Sequence, residues 1–192
     1  MRKDYKQILN HIAKFIELTK DEQEYFCSIL RYKKIRRKQF LVEAGEPCNY
    51  ENYVISGCLK AYYLDNNGFE HISHFAMEDW WISDAYAFLT GEPATLSIDA
   101  IEDSELFRIE KSEMEKLYIQ IPKFERMFRI LFQNSFVVKQ RRVLLHLSQS
   151  AKERYLSFIE KYPTLEQRVP QNQIASYIGV TPEFLSKMKK EL

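Results

Sequence analysis

Hydrophobic residues recur every three or four positions at both ends of this chain and every second position in its middle. Over residues 5–18, Ile8, Ile12, Phe15 and Ile16 fall at helical spacing. Thr19 is placed to cap a second helix over 20–30 that turns Phe26 and Leu30 inward. The basic run at 32–38 reads as a solvated face leading into a strand at 40–42. From about Phe40 the period is 2, with strands expected at 52–55, 58–64, 69–75, 96–101 and 105–109, and a short one after the turn at 78–81. Asp65-Asn66-Asn67-Gly68 predicts a hairpin turn, its Asn-Gly pair favouring positive φ. So many short strands between regular turns specify a small antiparallel roll or barrel.

Helical spacing returns over 110–118 and then over 121–147, the longest such pattern. Phe124, Phe128, Leu131, Ser135, Val138, Arg142 and Leu145 alternate in steps of four and three, as a coiled-coil seam does, with Ser135 and Arg142 interrupting it. A seam of this kind either packs on its own body or pairs with a second copy. Helical spacing resumes over 152–161 with Tyr155, Leu156 and Ile159, and 163–167 is read as a connection.

Residues 169–192 read as two short helices around a tight turn. Ile174, Ala175, Ile178, Val180, Leu185 and Met188 are the inward positions, and Gly179 lies where the turn needs positive φ. Thr181-Pro182-Glu183 is a helix start: a cap, a proline at the first helical position and an acid in the first turn. Thr181, Pro182, Glu183, Ser186, Lys187 and Lys190 are left on the outer face, a polar and partly basic surface suited to the DNA major groove. An ordinary helical hairpin packed on the body has the same inward pattern. The sequence stops at Leu192, directly after this helix, so no strand pair forming a wing is expected beyond it.

Charge separates the two readings. The net charge is +1, but residues 1–120 carry 15 Lys and Arg against 21 Asp and Glu, a balance of −6. Residues 121–192 carry 13 against 6, a balance of +7, in the segment that holds the turn motif. That is the footprint a polyanionic partner requires. Apolar runs are too short for a membrane span, and the N-terminus has no signal-peptide core, so a cytoplasmic protein is expected. Cys27, Cys48 and Cys58 have no metal-site spacing, and His71 and His74, three apart in a strand, point to opposite faces. No Ser-His-Asp set, phosphate-binding glycine loop or HExxH is present. Neither a catalytic residue nor a metal ligand is expected, and the chain reads as a non-enzyme.

The order of helices, small roll, long helix and a turn motif reading IASYIGVTPEFLSK resembles the Crp/Fnr family of bacterial transcription regulators over nearly the whole chain. Gly45, Gly57, Gly68 and Asp79 fall where that family's roll has its turn residues. The resemblance implies an α+β chain. Residues 1–120 would form a cyclic-nucleotide-binding-like sensory domain, an antiparallel β-roll (double-stranded β-helix, jelly-roll-like) flanked by helices. Residues 121–148 would be a long helix joining a homodimer, and 149–192 a helix–turn–helix domain bound to double-stranded DNA. Contact with RNA polymerase is implied as well. The implied mechanism is a population shift, in which a ligand in the roll changes the pairing of the long helices and the spacing of the two recognition helices. By matching position Pro182, Glu183 and Lys187 face bases, with Thr181, Ser186 and Lys190 nearer phosphates. A proline offers no hydrogen bond to a base edge, so readout is expected from Glu183, accepting from cytosine N4, and from Lys187.

The ligand site departs from the family pattern. Its cyclic-AMP binders carry a Gly-Glu pair and, ten residues after the Glu, an Arg beside a Ser or Thr. Here the corresponding residues are Ser83-Asp84, then Ala94 and Thr95. With Ala94 in place of the Arg, a buried cyclic phosphate would lack its counter-charge, at a cost of several kcal/mol per ion. Cyclic AMP is therefore not the expected effector, and Asp84, Ala94 and Thr95 stand as candidates for some other ligand or for none. The family's redox sensors hold an iron–sulfur cluster on cysteines near the N-terminus, where this chain has only Cys27, so no cofactor is expected. The alternative from another class is a sensory module of the same type that works through protein contacts rather than DNA.

Overall fold

The computed structural model describes residues 4–191, which fall into two compact units. One takes the chain as far as Ala61 together with Phe75–Gln133; the other takes Tyr62–His74 and the chain from Asn134.

The first unit opens with α1 (Lys6–Ile12) and α2 (Lys20–Ile29), followed by β1 (Arg31–Ile35), β2 (Phe40–Val42), β3 (Tyr50–Ser56) and the start of β4 (Leu59–Leu64). It resumes with the end of β5 (Glu70–Ala76), then β6 (Trp81–Ile82), α3 (Ala85–Thr90), β7 (Ser97–Ala100), β8 (Ser104–Glu110), α4 (Lys111–Gln120) and the beginning of α5 (Lys123–Ser148). Two four-stranded sheets result, in the orders β1-β8-β3-β6 and β2-β7-β4-β5. The period-2 pattern gives each sheet an apolar face. Ile35, Val54, Ile82 and Leu106 from one sheet share a core with Leu59, Ala61, Ala76, Ile98 and Ala100 from the other. The opposite face of β3 and β8, through Tyr53, Phe107 and Ile109, shares a second core with Ile8, Ile12, Phe26, Leu117, Phe124 and Phe128 of the helices. Phe26 and Phe124 stack there with centroids 4.8 Å apart, and each such side chain contributes roughly 1.5–3 kcal/mol by its burial. The step from β3 to β4 is made at Gly57, φ 98°, where a Cβ would overlap Ser104 and the Asp103 carbonyl.

Several elements differ from the sequence pattern. The first helix ends at Ile12 rather than near Leu18; the chain then turns, yet Ile16 still reaches the core, which is why the helical spacing outlasts the helix. The basic run at 32–38 is in part β1, an edge strand whose Arg31 and Lys34 pair at 2.6 Å with Glu110 and Glu105 of β8. Charge on an edge strand suppresses pairing with other chains, and it also hides the apolar alternation by which strands are recognised. Helix α3 was not expected, although Asp84 caps its start and Gly91 its end. Thr19 caps α2 in a full capping box with Glu22, as its position predicts.

The second unit contains the outer part of the β4–β5 hairpin, the end of α5, and α6 (Ala151–Lys161), α7 (Leu165–Arg168), α8 (Gln171–Ile178) and α9 (Pro182–Lys190). Ser150 opens α6 with a second capping box, through Glu153. Tyr155, Phe158, Tyr162, Leu165, Val169, Ile174, Ala175, Ile178, Leu185 and Met188 of its helical part are buried, as are Tyr62 and Ile72 of the hairpin, with Phe158 and Tyr177 rings 5.3 Å apart.

Helix α5 corrects the seam. Phe124 and Phe128 are buried in the core of the first unit, Leu131 is half-buried against it, and Arg142 is engaged inside the second. At 100° per residue most of the exposed apolar side chains lie away from these: Phe136, Val143 and Leu147, flanked by Val137 and Leu144, each at least 61% exposed, while Val138, 42% exposed, stays on the seam side. Of the residues predicted as the seam, Phe124, Phe128, Leu131 and Arg142 are engaged with their own chain, whereas Ser135 and Val138 in its middle are exposed. Among the described residues, no helix is long and apolar enough to cross a membrane.

Candidate nucleic-acid interface

The turn motif begins with α8, which ends at Gly179 in the left-handed region, φ 76°. Val180 N–H donates back to the Ala175 carbonyl at 3.0 Å, six residues closed into one ring as in a Schellman cap. A Cβ on Gly179 would stand 3.1 Å from His146 Cε1, so both φ and space favour glycine. Thr181 then caps α9, its Oγ1 accepting from Phe184 N–H at 3.2 Å, with Pro182 in the first turn. Leu185, fully buried, and Met188, 7% exposed, hold α9 down.

Thr181, Pro182, Glu183, Ser186, Lys187 and Lys190 are all exposed; Glu183, Ser186, Lys187 and Lys190 lie on the side of α9 away from Leu185 and Met188, and Thr181 and Pro182 stand at its open N-terminal end. Phe184 is exposed beside them. Lys189 is differently employed: its ammonium lies 2.7 Å from Glu166 and over the Tyr155 ring, and the hydrogen bond to Glu166 raises its pKa.

Two arginines, Arg142, which the sequence offers only as an interruption of the seam, and Arg154, are tied into the motif's frame. Arg142 donates to the carbonyls of Ile72 (2.8 Å), Ser73 and Tyr177 (2.9 Å), and its guanidinium lies 4.1 Å from the Tyr177 ring centroid. Burial lowers its pKa. Arg154 donates to the carbonyls of Ile178 (2.8 Å) and Gln149 (2.6 Å), covering the C-terminal end of α8 where the helix dipole favours a cation. Ser176 on α8 accepts from Ile72 N–H at 3.0 Å and donates to the Glu70 carbonyl at 2.5 Å. Their partners are backbone groups, most of them remote in sequence, which leave no residue-type signal.

In the first unit, the candidate ligand residues occupy one small cluster. Asp84 is 1% exposed. One of its oxygens accepts from Tyr86 and Ala87 N–H at 3.1 and 3.4 Å; the other accepts from Thr95 N–H (2.7 Å), Thr95 Oγ1 (3.0 Å) and Leu96 N–H (2.9 Å). Burial alone would raise its pKa, but the N–H donors of Leu96, Thr95 and Ala87 outweigh it and hold the carboxyl below the usual range. Ala94 is buried, its N–H on the Glu46 carbonyl and its own carbonyl accepting from Gly45.

The thiols give no grouped donor set. Cys27 lies on α2, where burial pushes it up to about 11, away from the thiolate a cluster needs. Cys48 and Cys58 are buried. Among the described residues no three His, Cys, Asp or Glu side chains are placed to hold a metal ion.

Residues 32–120 match the family model of the cyclic nucleotide-binding domain. The chain is 25% identical to the anaerobic regulatory protein of Pasteurella multocida, over 89% of its own length and 66% of the relative's. It is also 25% identical to the fumarate and nitrate reduction regulatory protein of Vibrio cholerae serotype O1, over 89% of this chain and 72% of that one. Its fold is similar to that of a transcriptional regulator of the Crp/Fnr family from Eubacterium rectale, with a TM-score of 0.75 at 16% identity, covering 95% of this chain and 87% of the other. The domain model thus covers the roll, and the likeness to regulators of this kind runs along nearly nine-tenths of the chain.

Proposed function

We propose that this chain is a DNA-binding transcription regulator that acts as a homodimer, with α9 of each copy entering the major groove. The observation that carries this reading is the division of α9. Leu185 and Met188 anchor it, while an acceptor, Glu183, and two cations, Lys187 and Lys190, stand exposed on its other side. In this reading Glu183 and Lys187 contact base edges, with Pro182 packed between them and the groove floor, and Thr181, Ser186 and Lys190 contact phosphates. The relatives named as regulators support it. The exposed stripe Phe136, Val143 and Leu147 on α5 is the surface assigned to the second copy, and RNA polymerase is the further partner the reading implies.

In the same reading the three parts keep the limits 1–120, 121–148 and 149–192 as sensor, dimerisation helix and reader. The roll does not take cyclic AMP in the family's manner: Asp84 has its oxygens filled by N–H and O–H donors, and Ala94 offers no cation. No catalytic role is assigned to any residue.

The test is selection of bound sites from random duplex DNA, followed by titration across salt. The expected product is a palindrome with half-sites about one helical turn apart. Its affinity should fall by about 10³-fold or more between 50 and 200 mM salt, as for a protein that neutralises several phosphates. Selection of no sequence, or binding indifferent to salt, would instead support a module that works through protein contacts.

A further inference from the structure

Phe184 is the one large apolar side chain that α9 exposes, at 52%. Single exposed hydrophobic residues are ordinary on protein surfaces, so its position has to supply the argument. It is the third residue of α9, fixed in the first turn by the hydrogen bond from its own N–H to Thr181 Oγ1. Side chains on a helix lean toward its N-terminus, so the ring extends over the turn that leads α9 into the groove. It is adjacent to Glu183 and three residues before Lys187, at the flank of the exposed face.

The chemistry of that face is unbalanced without it. Glu183 can accept from cytosine N4, and Lys187 can donate to guanine O6 and N7, so a C·G pair has readers of both signs. An adenine is read in the major groove by Asn or Gln, and α9 contains neither. The feature left to identify an A·T pair is the C5-methyl group of thymine, which is recognised by apolar contact. Resting on the DNA-reading role proposed above, we infer that Phe184 is a specificity-determining residue whose ring packs against a thymine methyl next to the base pair read by Glu183 and Lys187. The occupant of this apolar flank is thus a methyl group in duplex DNA, continuous with the polar interface beside it.

Replacing thymine by uracil removes that methyl and keeps the base pair and its O4 acceptor, so the inference can be tested on the unaltered protein. Each thymine of the selected site is exchanged for uracil in turn. At one position in each half-site, affinity should fall about fourfold, the worth of burying one methyl, and about 15-fold when both half-sites are changed. Phe184→Ala should bind the thymine site more weakly than the unaltered chain and be indifferent to uracil at that position only. Equal responses of the two proteins at every position would overturn the inference while leaving DNA binding intact. Failure of the unaltered chain to bind any duplex would remove the DNA-reading role itself, and this contact with it.

Discussion

Asp84 accepts five hydrogen bonds while nearly excluded from water, and in doing so ties the start of α3 to residues 95 and 96. Hydrogen bonds to a buried charge are worth about 1.5–3 kcal/mol each, and deleting the acceptor strands its donors. Asp84→Ala is therefore expected to destabilise the first unit by at least about 2 kcal/mol, measured as a shift in the midpoint of denaturant unfolding. The folded carboxyl sits below its unfolded value, so this stabilisation is complete above about pH 4 and fades as the pH falls through the folded value. An Asp84→Asn chain should lack that acid-dependent loss; an unchanged pH profile would contradict the role. The capping potential of Asp84 was readable from residue type alone. Arg142 was not, because what it binds are carbonyls of residues 72, 73 and 177.

At the scale of elements, caps were the most legible features. Thr19 and Thr181 each head a helix, as their positions predict, since a side-chain oxygen there replaces a missing backbone partner; Ser150 does the same for α6, where only a break in the pattern was read. Thr181→Ala should loosen α9 by about 1 kcal/mol, seen as faster amide exchange at Phe184. Short or charged elements were not legible: α3 is too brief to show a period, and β1 alternates charge instead of apolar residues. The long helix was read in length but not in orientation. Steps of three and four recur on both sides of α5, and only packing decides which side is covered. Leu147→Glu combined with Val143→Glu is expected to convert a dimer to monomers in sedimentation and to abolish binding to a palindromic site. The stability of each unit should change by no more than about 0.5 kcal/mol, because both side chains are exposed. A dimer that survived both charges would place its interface elsewhere.

For the whole molecule, the compact units do not follow the chain's apparent sections. The sequence pattern put the entire roll ahead of the long helix, whereas the outer hairpin, Tyr62–His74, is grouped with the helices of the turn motif. Ser176 and Arg142 supply the reason, since both join that hairpin to α8. Arg142→Ala should raise amide exchange at Ile72 and along α8 by more than about tenfold while leaving the β3–β8 amides unchanged. A uniform increase would indicate global destabilisation instead. The fold class and the turn motif were legible because apolar periodicity, caps and regional charge agree on them. This grouping was not, because contacts between remote backbone groups have no periodicity.

The division of labour within α9 bears on how such a protein changes over time. Anchoring falls to two apolar positions and starting the helix to Thr181 and Pro182, whereas the groups offered to bases, Glu183, Phe184 and Lys187, occupy other positions in the same turns. Substitutions at 183, 184 and 187 can thus accumulate without opening the core. A copy of this chain could drift from one operator to another through intermediates that remain folded at every step.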